Sequence, residues 1–112
     1  GGNALKTNGN QFLCVCQYGH SRSVALTRVL HSKGLQAVAC GWQTAGHSAL
    51  PVLCRWASDI LILDDSYLQY IEEEYHSKVT AIHVGPDKWS NPYNQNLLNL
   101  LYKLVDEKLG IK

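Results

Sequence analysis

Short apolar segments divide the chain into regular units. Residues 11–16 and 60–63 are largely apolar at consecutive positions, which is typical of strands buried on both faces of a parallel sheet. Residues 35–40 are more mixed in polarity and indicate a strand at the edge of that sheet. Residues 78–84 predict a fourth strand, because the next segment, 85–92, is too rich in turn residues to continue it.

Helical spacing lies between the predicted strands. From residue 23 to residue 31, apolar residues four positions apart line one face, and Gly34 then provides a stop signal. Ser48 is placed to cap a short helix that extends to Trp56. A strand, a glycine-containing loop and a helix in this order form half of a βαβ unit.

Capping signals predict two further helices. Ser66 and Gln69 form a capping box for one of them. Asn91 caps the other, Pro92 occupies its first turn and Gly110 ends it. The predicted inward-facing residues are Leu68, Ile71 and Tyr75 in the first helix and Leu97, Leu101, Leu104 and Val105 in the second.

The alternation of strands and helices predicts an α/β fold. We expect a three-layer sandwich whose central four-stranded parallel sheet has the order 2-1-3-4, with helices on both faces. Residues 11–112 are expected to form this single domain, preceded by a flexible segment at 1–10. Ligands of such sheets bind where the carboxyl ends of the strands meet. The loops expected at this edge are 16–23, 41–46, 64–66 and 85–91.

Composition indicates a globular protein without a general affinity for polyanions. Of the 112 residues, 46% are hydrophobic and 17% are charged, and the net charge is +1. This balance predicts no binding to nucleic acid or to an acidic membrane surface. No segment approaches the ~20 consecutive apolar residues of a membrane-spanning helix, so we expect a cytoplasmic protein. The oligomeric state is left open.

The cysteines are expected to be free thiols. Cys14, Cys16, Cys40 and Cys54 lie in a chain that is neither small enough nor loop-rich enough to need disulfides. They lack the CxxC spacing of a zinc site, and the histidines are not spaced as metal ligands. We therefore expect no metal and no cofactor, and we interpret Cys14 as part of the core.

The segment from Cys16 to Ser23 carries the candidate chemistry. It begins where the first strand ends and leads into a helix, whose N-terminal N–H groups and dipole favour a bound phosphate and a thiolate. Cys16 is therefore the candidate nucleophile. Arg22 offers a planar fork for two phosphate oxygens, and Ser23 can donate a hydrogen bond to the sulfur. The predicted phosphate-binding residues are Gln17, Tyr18, Gly19, His20, Ser21 and Arg22.

Attack on a phosphomonoester also requires an acid that protonates the leaving oxygen. Asp87 is the candidate, because it lies on the loop after the fourth predicted strand. Asp64 and Asp65 compete for this role, but their position directly before a predicted helix suits capping better. The aromatic residues on these loops, which either stack on an aromatic phosphoester or fill space, are Trp42, Trp89 and Tyr93.

The loop resembles the Cys-x5-Arg-Ser signature of protein tyrosine phosphatases, and its position after the first strand is similar to that in the low-molecular-weight family. The amino-acid sequence of the loop is closer to that of the dual-specificity phosphatases, but those proteins carry a long segment before the cysteine. Residues 58–66 are similar to the family strand that ends in Met-Asp-x-Ser, and residues 85–93 lie where the family has its acid. The resemblance implies a tyrosine phosphatase that forms a phosphocysteine on phosphorylated proteins or small phosphoesters.

Two loop positions depart from that family, and two other functions stay open. The family usually has asparagine in place of Gly19 and a second cysteine in place of Ser21, so its protective disulfide is not expected here. An arsenate reductase shares the fold but needs further cysteines within reach of the nucleophile. A phosphocarrier or phosphate-binding module uses a similar cysteine loop but usually lacks an arginine such as Arg22.

Overall fold

The four predicted strands are present in one parallel sheet. The computed structural model describes residues 10–17, 22–42, 49–84 and 94–109. The strands are β1 Gln11–Cys16, β2 Gln36–Gly41, β3 Asp59–Ile62 and β4 Val79–Ala81. Their order is β2-β1-β3-β4, and neighbouring strands are parallel. The predicted fold class and strand order are confirmed, although the fourth strand is shorter than predicted.

The two central strands are buried on both faces, as their apolar runs predict. Every residue from Phe12 to Cys16 in β1 and from Ile60 to Ile62 in β3 is at most 3% exposed. Because successive residues of a strand face opposite sides, both faces of the sheet are covered. β2 lies at the edge of the sheet, where its Val38 side chain is 38% exposed.

Helices pack on this sheet. Within the described ranges the α-helices are α1 Arg22–Ser32, α2 Ala49–Trp56 and α3 Gln95–Leu109. α1 packs on β1 and β2 and also contacts α3. Gly34 follows α1 with a φ of 81°, a left-handed conformation that glycine adopts without strain at Cβ, so the predicted stop is confirmed. The predicted cap of α2, Ser48, lies outside the described residues.

The segment after β3 differs from the prediction. Instead of one α-helix with a Ser66 capping box, it contains two 3₁₀ helices, Asp65–Tyr70 and Glu73–Lys78. Asp64 caps the first of them, since its side chain accepts a hydrogen bond from the Ser66 backbone N–H at 2.9 Å. The Ser66 hydroxyl donates to the same carboxylate at 2.7 Å and therefore does not cap a helix.

The 3₁₀ geometry also changes which side chains of this segment face inward. Leu68, which was predicted to be buried, is 36% exposed, whereas Tyr67 is only 7% exposed. Ile71 and Tyr75 are buried as predicted. A 3₁₀ helix has about 3.0 residues per turn, so a face assigned with the spacing of an α-helix is displaced.

The last helix starts later than predicted. Its cap is Asn94, whose Oδ1 accepts hydrogen bonds from the backbone N–H groups of Asn96 at 2.9 Å and Leu97 at 3.1 Å. The residues that were predicted to cap and open this helix, Asn91 and Pro92, lie outside the described residues, as does Gly110. Leu97, Leu101 and Val105 are fully buried as predicted, and Leu104 is half-buried.

No helix among the described residues is long and apolar enough to span a membrane. The predicted flexible segment at 1–10 lies, apart from Asn10, outside the described residues.

Candidate active site

The candidate nucleophile lies at the carboxyl edge of the sheet. Cys16 is the last residue of β1, and its backbone carbonyl accepts a hydrogen bond from the Trp42 N–H, just after β2, at 2.9 Å. On the other side, the Leu63 N–H, just after β3, donates to the carbonyl of Val15 at 3.1 Å. The ends of three neighbouring strands therefore converge around this thiol, as the parallel topology predicts.

The hydroxyl of Ser23 contacts the thiol. The Cys16 Sγ atom is 3.0 Å from the Ser23 Oγ atom, and both side chains are buried. Ser23 is the second residue of α1, so the sulfur faces the N-terminal end of that helix. Unsatisfied backbone N–H groups and the helix dipole make such a position favourable for negative charge. The structure thus brings together the two residues that were predicted to act as nucleophile and thiolate partner.

The other three cysteines have environments that oppose ionisation. Burial raises the pKa of the Cys14 thiol to about 12 and that of Cys54 to about 11. Burial also raises the pKa of Cys40. None of the four cysteines forms a disulfide, and Cys14 is fully buried in β1, as predicted for a core residue.

Arg22 is buried and contacts a residue that was not predicted. Its side chain is 2% exposed, and its Nη2 donates a hydrogen bond of 2.7 Å to the hydroxyl of Tyr67. The centre of the guanidinium is also 5.8 Å from the centroid of the Tyr67 ring. Sequence reasoning missed Tyr67 because the α-helical spacing placed Leu68 on the inner face. Its position just after β3, at the same sheet edge as Cys16, was the available signal.

Trp42 belongs to an aromatic cluster beside Arg22. Its indole stacks on Tyr70 with ring centroids 3.8 Å apart and planes 5° apart, and it is tilted against Tyr67 at 5.9 Å. Trp42 is half-buried, and its Nε1 is a buried donor without a hydrogen-bond partner among the described residues. Tyr70 is 40% exposed, so the cluster reaches the surface.

The two carboxylates after β3 have local structural partners. Asp64 accepts hydrogen bonds from the backbone and the hydroxyl of Ser66, and these bonds lower the pKa of the Asp64 carboxyl, with a smaller contribution from the charge of Arg22. Asp65 contacts the imidazole of His83 at 2.9 Å. Both arrangements fit the interpretation that these residues cap and brace the loop.

Several predicted site residues lie outside the described ranges, and the structure does not test their placement. Gln17, directly after β1, is described and is half-buried. No three histidine, cysteine or acidic side chains cluster as metal ligands in the described part of the chain. The site residues outside the described ranges are Tyr18, Gly19, His20 and Ser21 of the loop, and Asp87, Trp89 and Tyr93 after β4.

Comparison with solved structures identifies the fold. No protein-family model and no curated protein matches the sequence. The tyrosine phosphatase AmsI of Erwinia amylovora is 15% identical, with 90% of this chain and 91% of that chain covered and a TM-score of 0.67. Wzb of Escherichia coli K30, a tyrosine phosphatase solved with phosphate, is 17% identical over 88% of this chain and 94% of that chain, with a TM-score of 0.65.

A third structure extends the comparison. Wzb of Vibrio vulnificus, solved with benzylphosphonate, is 18% identical over 88% of this chain and 92% of that chain, with a TM-score of 0.62. Sequence identity at this level is evidence for a shared fold, whereas the activity has to be inferred from the residues of the site. The chain therefore has the fold of the bacterial low-molecular-weight tyrosine phosphatases, as its cysteine loop predicts.

Proposed function

We propose that the protein is a cysteine-dependent phosphomonoester phosphatase whose principal substrates are phosphotyrosine side chains. The observation that carries this proposal is the buried contact of 3.0 Å between Cys16 Sγ and Ser23 Oγ at the start of α1, with Arg22 directly beside it. A thiol, its hydroxyl partner and a guanidinium at one helix N-terminus supply a nucleophile, a stabilising group for the sulfur and a group that binds the phosphoryl oxygens.

In the proposed reaction the Cys16 thiolate attacks phosphorus and the bond from phosphorus to the ester oxygen breaks. The leaving oxygen takes a proton from an acid, and the phosphoryl group stays on sulfur as a phosphocysteine. Water then attacks phosphorus, gives a proton to the same carboxylate, and releases phosphate and the thiolate. Arg22 stabilises the charge on the phosphoryl oxygens, and Ser23 stabilises the sulfur as it leaves. Residues 17–22 supply backbone donors to the phosphate in this proposal.

Asp87 is the proposed acid. It follows β4 in sequence, and the carboxyl end of β4 lies at the same sheet edge as Cys16. The described competitors are engaged elsewhere: Asp64 by Ser66 and Asp65 by His83. The proposed pocket for the aromatic ester includes Trp42, together with Trp89 and Tyr93.

The alternative functions are less well supported. An arsenate reductase would need a second reactive cysteine, and the pKa values of Cys14, Cys40 and Cys54 are all raised by burial. A phosphocarrier does not explain why a buried guanidinium lies at the start of α1. Four cysteines without a disulfide are consistent with a reducing compartment, which supports the proposed cytoplasmic location.

The decisive experiment is hydrolysis of p-nitrophenyl phosphate by the wild-type protein and by Cys16→Ser. We expect the substitution to lower kcat by more than about 1,000-fold, because a serine hydroxyl is far from ionised at neutral pH. Cys40→Ser is the matched control and should retain activity, since this thiol lies on the edge strand β2. Substantial turnover by Cys16→Ser would contradict the mechanism. A stable phosphocysteine without release of phosphate would instead identify a phosphocarrier.

A further inference from the structure

The hydrogen bond between Arg22 and Tyr67 joins two separate parts of the site. Arg22 opens α1 after the cysteine loop, whereas Tyr67 lies in the 3₁₀ helix that follows β3. The bond of 2.7 Å spans 45 positions in sequence, and both side chains are buried. A buried hydrogen bond to a charged group contributes more than an exposed one, because water does not compete for either partner.

The phenol holds the guanidinium in a defined orientation. A guanidinium presents its N–H donors in a rigid plane. Fixing one of these donors, together with the distance from the guanidinium carbon to a neighbouring ring, therefore restricts the direction of the whole group. Here the Nη2 atom is fixed by the hydroxyl, and the guanidinium carbon lies 5.8 Å from the ring centroid. Recognition of two phosphate oxygens depends on this direction, because a fork that is rotated loses one of its two bonds.

Tyr67 is itself supported by a residue that contacts the nucleophile. Its ring packs against Trp42 at 5.9 Å, and the Trp42 backbone N–H donates to the carbonyl of Cys16 at 2.9 Å. Tyr70 stacks on the indole at 3.8 Å. The contacts from Cys16 through Trp42 and Tyr67 to Arg22 thus connect the ends of β1, β2 and β3 at the site.

We propose that Tyr67 is a positioning residue that orients the Arg22 guanidinium toward the phosphoryl group bound by the cysteine loop. The inference rests on the proposed function for its catalytic consequence. Tyr67 contributes its hydroxyl as an acceptor, and Trp42 contributes the surface that holds the phenol in place. In this role Tyr67 acts through Arg22.

The test is Tyr67→Phe, which keeps the ring and removes the hydroxyl. We expect the affinity for inorganic phosphate, measured by calorimetry, to fall about tenfold, and kcat/KM for p-nitrophenyl phosphate to fall by a similar factor. Tyr75→Phe is the matched control: Tyr75 is a buried tyrosine in the next 3₁₀ helix, where it interacts with the exposed Arg55. This control should bind phosphate as the wild type does.

A double-mutant cycle separates positioning from a structural effect. In an Arg22→Lys background, adding Tyr67→Phe should change phosphate affinity by less than about twofold, because the planar fork is already gone. Equal losses from Tyr67→Phe in both backgrounds would overturn the inference, as would wild-type phosphate affinity in the single variant. Thermal unfolding of each variant shows whether the fold is retained.

The outcomes also distinguish this inference from the proposed function. If the wild type hydrolyses p-nitrophenyl phosphate through Cys16 but Tyr67→Phe has no effect on binding or turnover, the function stands and the inference fails. If the wild type binds inorganic phosphate in a manner that depends on Tyr67 but has no hydrolytic activity, the function fails and the positioning stands. If the wild type shows neither binding nor hydrolysis, both are overturned.

Discussion

Cys14 and Cys16 lie on the same strand but have different surroundings and different expected roles. They are two positions apart on β1 and therefore face the same side of the sheet. Cys14 is fully buried, and burial raises the pKa of its thiol to about 12. Cys16 ends the strand, where the Ser23 hydroxyl at 3.0 Å and the start of α1 surround its sulfur. The position along the strand thus separates a core thiol from a candidate nucleophile.

The hydroxyl of Ser23 is expected to affect the second half of the reaction more than the first. In Ser23→Ala, the thiolate loses a hydrogen bond as it leaves phosphorus, so we expect hydrolysis of the phosphocysteine to slow about tenfold. Rapid-quench kinetics should then show a burst of p-nitrophenol followed by slow turnover. Ser32→Ala, at the opposite end of α1, is the control and should behave as the wild type. A uniform loss in both steps would contradict this assignment.

At the scale of elements, the end of α2 depends on a side chain from another part of the chain. Lys78, the last residue of the second 3₁₀ helix, donates hydrogen bonds from Nζ to the carbonyl of Cys54 at 3.0 Å and to that of Ala57 at 2.7 Å. These carbonyls lie at the C-terminal end of α2, where backbone acceptors lack helical partners and the helix dipole favours a cation. The hydrogen bonds of Lys78 therefore connect the C-terminal end of α2 to the segment that leads into β4.

Removing this lysine should destabilise the fold measurably. We expect Lys78→Met to lower the free energy of unfolding by about 2 kcal/mol, because two carbonyls lose a charged donor. Urea denaturation followed by tryptophan fluorescence measures the change. Lys108→Met, at an exposed position in the last turn of α3, serves as the control and should change stability by less than about 0.5 kcal/mol. Equal effects of the two substitutions would rule out the proposed link.

At the scale of the whole molecule, the buried thiols predict sensitivity to alkaline pH. Burial raises the pKa of Cys54 from its ordinary value of 9.0 to about 11. The unfolded chain therefore loses this proton at lower pH than the folded chain, so the folded state binds more protons in this range. The contribution to stability is complete below pH 9.0 and is lost as the pH rises through about 11.

A comparison of two pH profiles tests this linkage. The free energy of unfolding of the wild type, measured in urea with a reductant, should fall between pH 9 and pH 11. Cys54→Ala should show a shallower decline, so that the loss of stability between pH 9 and pH 11 is smaller than that of the wild type by roughly 2 kcal/mol. Lysines and tyrosines titrate in both proteins, so the difference between the profiles reports the thiol. Parallel profiles would contradict the assignment.

The features that the sequence predicted correctly depend on local chemistry. The apolar runs of β1 and β3 require burial on both faces, the apolar spacing of α1 defines its inner face, and Gly34 accommodates a positive φ. Because the connections between parallel strands of one sheet are right-handed, the order of the strands and helices along the chain also constrained the strand order of the sheet. The proximity of Cys16 and Ser23 followed from the same constraint, since one ends a strand and the other begins a helix.

The features that the sequence did not predict depend on contacts between distant segments. A capping role for Asp64 was expected, but only the folded loop decided that the capped helix is a 3₁₀ helix and that the Ser66 hydroxyl donates to Asp64 instead of capping. The bond from Arg22 to Tyr67 joins residues 45 positions apart. The sequence by itself therefore determined the strands, the first helix and the candidate nucleophile, because local hydrophobic pattern and backbone preference specify them. Only the tertiary structure decided the partner of Arg22, because that contact depends on packing at the edge of the sheet.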